Sequence, residues 1–133
     1  MAAVVVDTCV VSFLLKEGDT RAELYRPHLD ADTKIISFMT LAELYRWADE
    51  RDWGERRRGD LERDLSNYVV YGATRALCRK WAETTDQARR RGHPIEVDDA
   101  WIAATALLYD FPLVSNNRRH YEHIPELKLL SEA

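Results

Sequence analysis

The stretch Ala2-Ala3-Val4-Val5-Val6-Asp7-Thr8-Cys9 decides how the rest of this chain is read. Five small or β-branched apolar residues follow one another without polar alternation, the pattern of a parallel strand covered on both faces. An acid and a small hydroxyl end the run. In open α/β sheets, residues at the carboxyl ends of strands are the ones that face ligands. Packing offers no reason for an acid there, because an unpaired carboxylate moved out of water costs several kcal/mol or is forced to protonate. Asp7 therefore calls for a cationic neighbour, which is a lysine, an arginine or a metal ion.

Outward from this strand, helix and strand signals alternate. Val10 to Lys16 carries apolar residues through a short helix that stops at Gly18. Thr20-Arg21-Ala22-Glu23 has the form of a capping box, and so does Thr40-Leu41-Ala42-Glu43, which opens a helix with Leu41, Leu44, Tyr45 and Ala48 on one face. Lys34 to Phe38 and Tyr68 to Tyr71 are short β-rich runs, and a helix is expected over Asp60 to Asn67 between them. Thr74 to Arg91 is the longest helical pattern, with Leu77, Trp81, Thr84 or Thr85, and Ala88 as its buried stripe and Gly92 and Pro94 as its stop. An alanine-rich helix over Asp98 to Asp110, a strand over Phe111 to Ser115, a helical turn over Asn117 to His123 and a last strand over Leu127 to Leu130 complete the chain. This order predicts one α/β domain over residues 1–133, with four to five parallel strands joined by helical crossovers.

Composition narrows the function classes. The 133 residues are 46% apolar and 32% charged, enough for a core without staples, and no low-complexity tract interrupts them. No apolar run approaches the ~20 residues that span a bilayer, so no membrane association is expected. The N-terminus lacks the basic and small-residue features of a secretory signal, and a cytoplasmic location is expected. Cys9 and Cys78 are too far apart in sequence to form a thiol motif and read as two reduced thiols. A net charge of −4 argues against nucleic-acid binding by bulk charge, though not against a local basic patch or a metal that inverts the local field.

Parallel strands all exit at one edge, so the residues that follow them gather there. Asp7 follows the first strand, Glu43 lies on the helix after the second, and Ser115, Asn116 and Asn117 follow the fourth. Asp98 and Asp99 open the helix leading into that fourth strand, at an end which reaches either the same edge or the opposite one. Oxygen donors drawn from several elements are what hard cations such as Mg²⁺ or Mn²⁺ select. Singly, Glu43 is explained by a Thr40 capping box, Asp98 and Asp99 by the helix macrodipole, Thr8 by a cap, and Asn116-Asn117 by a turn. Together they outline a metal-binding crevice.

The opening VVVDTCVV, then SFMTLAEL, DDAWIAATAL and the closing PLVSNNRRHYEHIPEL give the chain, over nearly its whole length, a resemblance to the PIN-domain ribonucleases. Within them it is most similar to the VapC-type toxins of toxin–antitoxin pairs. The resemblance implies a PIN-like three-layer α/β/α sandwich and an endoribonuclease dependent on Mg²⁺ or Mn²⁺, hydrolysing RNA phosphodiesters by a metal-activated water held in an acidic cluster. It also implies a VapB-like antitoxin as partner and a homodimer. Asp7, Glu43 and Asp99 match the family's catalytic, metal-holding acids; Asp99 is chosen over Asp98 because the family's acid lies three residues before the isoleucine that is here Ile102. Ser115 stands where the family often has threonine. Asn116 and Asn117 stand where it often has a further acid, and an amide cannot act as a general base.

Arginines offer phosphate contacts. Arg118 and Arg119 adjoin the expected site and are the RNA candidates, whereas Arg51, Arg56, Arg57, Arg58 and Arg63 are balanced by nearby acids and read as a solvated face. A third cluster is Arg89-Arg90-Arg91. His93, His120 and His123 read as ordinary surface histidines. Trp47, Trp53, Tyr45 and Leu61 outline an apolar groove. Other classes place an acid after a first strand as well. A haloacid-dehalogenase signature needs a second aspartate where Cys9 stands, and a receiver domain needs a phosphoacceptor where Tyr71-Gly72 stands. A non-catalytic RNA- or protein-binding module of the same fold is the remaining alternative.

Overall fold

The computed structural model describes residues 2–133. Its strands are β1 (Ala3–Val6), β2 (Thr33–Ser37), β3 (Val69–Tyr71), β4 (Leu113–Val114) and β5 (Leu129–Leu130). The helices are α1 (Thr8–Leu15), α2 (Thr20–Tyr25), α3 (Phe38–Glu50), α4 (Glu55–Leu65), α5 (Arg75–Arg90), α6 (Val97–Tyr109) and α7 (Arg118–Tyr121), and a 3₁₀ turn over Arg26–Leu29 follows α2. All strand pairings are parallel, in the order β3-β2-β1-β4-β5. The order and type of every expected element hold, and a five-stranded parallel sheet lies between two helical layers.

β1 is central, which explains its unbroken apolar sequence. Val4 and Val6 pack on one face with Ile36, Val114 and residues of α1 to α4, including Phe13, Tyr25, Leu44 and Leu61. Ala3 and Val5 pack on the other with Ile35, Leu113 and Ile102, Ala103 and Ala106 of α6. The alternation of side chains along a strand thus serves two cores. α5 packs outside α6, with Leu77, Thr84 and Ala88 buried as expected and Trp81 stacked on Trp101 at 5.1 Å.

Two helix starts differ from the capping-box reading. Asp19, not Thr20, caps α2, its carboxylate accepting from the Arg21 N–H at 3.0 Å. Ser37 caps α3 by accepting from the Met39 N–H at 3.1 Å, so Thr40 and Glu43 lie inside the helix. In both cases a capping oxygen earlier in the chain takes the first orphan N–H groups. α4 begins at Glu55 and runs through Gly59, because Leu61 and Leu65 are buried in the core and that packing outweighs the ~1 kcal/mol cost of a helical glycine. Gly18 and Gly92 adopt φ of +78° and +79°, which suits glycine best and ends α1 and α5 where expected.

Since α3 carries Glu43 on its buried side, its packing sets the site. Leu44→Ala should lower stability by about 2–5 kcal/mol, and Ile35→Val by about 0.5–1.5 kcal/mol, in urea unfolding with an unchanged m-value.

Candidate active site

The strand order reverses beside β1, with β2 and β3 on one side of it and β4 and β5 on the other. A crevice opens at such a switch point. Asp7 sits there, continuing the ladder by donating its N–H to the Val114 carbonyl at 2.9 Å, and it is 1% exposed. Its carboxylate accepts from the Thr8 N–H at 2.8 Å and from the Ser115 hydroxyl at 2.6 Å, with the Cys9 thiol at 3.6 Å. Asp7 is thus also the N-cap of α1. Burial nonetheless drives its carboxyl above the usual carboxylate range, the Ser115 and Thr8 hydrogen bonds opposing the rise.

The two neighbouring elements bring three more acids to this crevice. Thr8 Oγ1 lies 2.9 Å from both Thr40 Oγ1 and Glu43 Oε1, and it ties α3 to the start of α1. Burial pushes Glu43 up to about 7, helped by the negative charge of Asp98 and of Asp7, while the Thr8 hydrogen bond pulls the other way. Asp98, half-buried, lies within hydrogen-bonding reach of Glu43. Asp99 points instead toward α7. There the Tyr121 hydroxyl donates to its Oδ1 at 3.2 Å and His120 Nδ1 lies 2.8 Å from its Oδ2. Burial and the adjacent Asp98 raise Asp99 to about 6, against the pull of His120. The amino end of α6 therefore reaches the same edge as Asp7, and it brings both aspartates.

Of the other expected residues, Thr8 and Ser115 contact the acids directly. Asn117 donates its N–H to Ser115 Oγ at 2.9 Å. Asn116 Oδ1 is engaged by the Tyr25 hydroxyl at 2.6 Å, so this amide ties α2 to the turn after β4. Arg118 is turned away from the crevice, donating to the carbonyls of Ala133 and Ser131 at 2.9 and 3.3 Å. Arg119 remains exposed beside His120. Of the α4 arginines, Arg63 pairs with Asp60 as a solvated face would have it, whereas Arg58 binds the Asp49 carboxylate and the carbonyls of Trp53 and Ala48, and Arg57 covers the Trp53 ring at 4.0 Å.

Tyr121, Thr40 and Cys9 line the site without a signal of their own in the sequence. Tyr121 is fully buried, and burial together with Asp7 and Asp99 drives its hydroxyl far above its ordinary value, so it stays a donor. His120 is a partner of Asp99 and not the ordinary surface histidine that the sequence suggests. The Cys9 thiol is pushed to about 12 by burial and by Asp7, which rules out thiolate chemistry near neutral pH.

Four carboxyl groups from three elements thus meet around one crevice, held by hydroxyl and amide donors. No lysine or arginine pairs with any of them among the described residues. No three of them close into a tight cage of direct ligands among the described residues. Such a looser set of oxygen donors suits a hard cation that keeps part of its water shell.

The family of PIN domains matches residues 4–126. The chain is 26% identical to ribonuclease VapC1 of Haemophilus influenzae (strain R2866) over 123 residues, 92% of each protein. Among solved structures it is similar to VapBC2 from Rickettsia felis bound to a promoter DNA fragment, with a TM-score of 0.84, 22% identity and coverage of 97% of this chain and 98% of that one. DNA-bound VapBC from Salmonella typhimurium gives a TM-score of 0.84 with 24% identity and 98% coverage of both chains.

The raised acids make a signed prediction. The folded chain holds protons that the unfolded chain releases near pH 4, so this contribution to stability is present at low pH and falls as pH rises through about 6 for Asp99 and about 7 for Glu43. In EDTA, Glu43→Gln and Asp7→Asn should therefore gain in Tm relative to wild type as the pH goes from 4.5 to 7.5. A Tm difference that stays constant across that range would contradict the assignment.

Proposed function

We propose that this chain, which belongs to the PIN-domain family, is a metal-dependent endoribonuclease and the toxin of a toxin–antitoxin pair. One observation carries the proposal: Asp7, Glu43, Asp98 and Asp99 share a crevice at the switch point of the sheet, and no lysine or arginine pairs with them among the described residues. A non-catalytic binding module has no use for four mutually repelling acids. Its folded state would be more stable without them. The ribonuclease names of the relatives and the toxin–antitoxin complexes among the similar folds support the same reading.

Asp7, Glu43 and Asp99 would hold the cation, Mg²⁺ or Mn²⁺, with Asp98 beside Glu43. A cation bound there would neutralise charge that builds on the phosphate and lower the pKa of a water it binds. The chain itself supplies orientation. Ser115 and the Thr8 N–H fix one carboxylate, the Thr8 hydroxyl fixes Glu43, and Tyr121 with His120 fixes Asp99. Hydroxyl donors hold acids in place without neutralising them, so the negative charge remains available to the cation.

An antitoxin of the VapB type is the proposed protein partner. Leu15, Trp53 and Leu61 line an open groove of about 850 Å³ edged by Lys16, Arg56 and Arg57. Trp53 and Leu61 belong to the groove outlined in the sequence. Tyr45 lies exposed beside Glu62, and Trp47 packs half-buried under Arg51 at 5.1 Å. A second copy of the chain is the other proposed partner. No helix among the described residues is long and apolar enough to cross a membrane.

RNA cleavage with and without EDTA tests the function. Wild type should give EDTA-sensitive products, Asp7→Asn none, and Ser115→Ala about 10- to 100-fold less because only the support of a ligand is lost. Mg²⁺ should raise the Tm of wild type and not of Asp7→Asn. Products that persist in EDTA, or undiminished cleavage by Asp7→Asn, would reject the proposal.

A further inference from the structure

A cleft of about 460 Å³ leads away from Asp99 and His120. One wall is the second half of α5 with the turn after it, from Lys80 to Glu96; the other is Arg119, His120 and the segment His123–Glu126. Its volume falls within the ~300–1,000 Å³ of small-ligand sites, which admits a single nucleotide and excludes a duplex.

The lining includes Lys80, Arg91 and Arg119, and what matters is which of these charges is left without a partner. In the run Arg89-Arg90-Arg91, the first two pair with Asp86 at 2.9 and 2.8 Å, which leaves only Arg91 in the cleft. Arg91 and Arg119 have no ion-pair partner among the described residues. Of the acids, Asp99 belongs to the active site and Glu83 is met by Lys80 at 3.6 Å. Glu96 and Glu126 remain against the two arginines and three histidines. Free guanidinium groups in such a position match phosphate oxygens, to which they can donate in pairs.

The cleft also has an aromatic element. His93, in the turn after α5, and His123, after α7, stack in parallel with ring centroids 3.7 Å apart and an interplanar angle of 6°. Each covers one face of the other, and both residues are exposed beside the cleft. Single-stranded RNA is held in this manner, with unstacked bases laid on aromatic side chains, histidine included, and phosphates on arginine.

We propose that this cleft binds the nucleotide of a single-stranded RNA that adjoins the scissile phosphate, its phosphate on Arg91 and Arg119 and its base on the His93–His123 pair. The assignment rests on the ribonuclease reading and extends it: Asp7, Glu43 and Asp99 define where cleavage occurs, and the cleft selects an unpaired base beside it. A net acidic protein thereby binds a polyanion through a local patch, with the arginines paired elsewhere contributing little.

The test uses Asp7→Asn protein with Mg²⁺ and a fluorescein-labelled single-stranded RNA oligonucleotide, read by anisotropy. Arg91→Ala and Arg119→Ala should each raise Kd about 5-fold or more and lower the slope of log K against log salt by about 0.7, the value for one phosphate contact on a single strand. Arg90→Ala should change neither. His123→Ala should weaken the oligonucleotide and leave an abasic version of it unaffected. The cleft is rejected if Arg91→Ala and Arg119→Ala bind like Arg90→Ala, or if His123→Ala acts equally on both oligonucleotides. Those failures, with EDTA-sensitive cleavage by wild type intact, would leave the nuclease reading standing. Absence of cleavage together with the expected binding changes would overturn the nuclease and leave an RNA-binding cleft.

Discussion

Burying a carboxylate at the end of the central strand is the constraint from which the architecture of this protein follows. Asp7 must keep its place in the β-ladder through its N–H, cap α1 with one oxygen and receive Ser115 with the other. These three demands fasten β1, α1 and the turn after β4 to one another at a point 1% exposed to solvent. They also determine where the sheet can open. The reversal of strand order between β1 and β4 puts the crevice where Asp7 and Ser115 meet, so one hydrogen bond both closes the fold and marks the site.

Repulsion among the acids is contained by geometry and not by countercharge. Asp98 and Asp99 are neighbours on α6, about 100° apart around the helix, and they face different partners: Glu43 on one side, Tyr121 and His120 on the other. Thr8, Ser115 and Tyr121 each offer a hydroxyl proton to a carboxylate. A lysine in any of these places would remove the electrostatic reason for a metal to bind. Burial first, and then repulsion among the acids, raises the carboxyl groups of Asp7, Glu43 and Asp99, an arrangement of the kind that concentrates at functional sites.

The same economy of charge appears on the surface. Most arginines are already engaged: Arg58 clamps the α3–α4 turn, Arg89 and Arg90 share Asp86, and Arg118 holds the C-terminal residues. Arg91 and Arg119, neither of which has an ion-pair partner among the described residues, face a single cleft beside the acids. Net charge is therefore a poor guide to partners in this protein, because the charge that matters is the fraction left without an internal partner.

The family resemblance set Asp99 apart from Asp98, and local chemistry in the sequence determined the element order, the burial of β1 on both faces, the stops at Gly18 and Gly92 and the candidacy of Asp7 and Glu43. Each depends on periodicity, β-branching, glycine conformation or an acid placed after a strand, and such signals act within a few residues. Helix starts were less legible: Asp19 and Ser37 took the caps that Thr20 and Thr40 seemed to hold, since capping depends on backbone angles that adjacent residues decide together. Only the tertiary structure decided that Asp98 joins Asp99 at the site, that Tyr121 and His120 hold Asp99, that Arg118 turns away while Arg119 lines the cleft, and that His93 stacks on His123. The physical reason is distance along the chain. These groups come from α6, α7 and the turns after α5 and α7, and their meeting is fixed by the packing of two helical layers on one sheet, which no local pattern encodes.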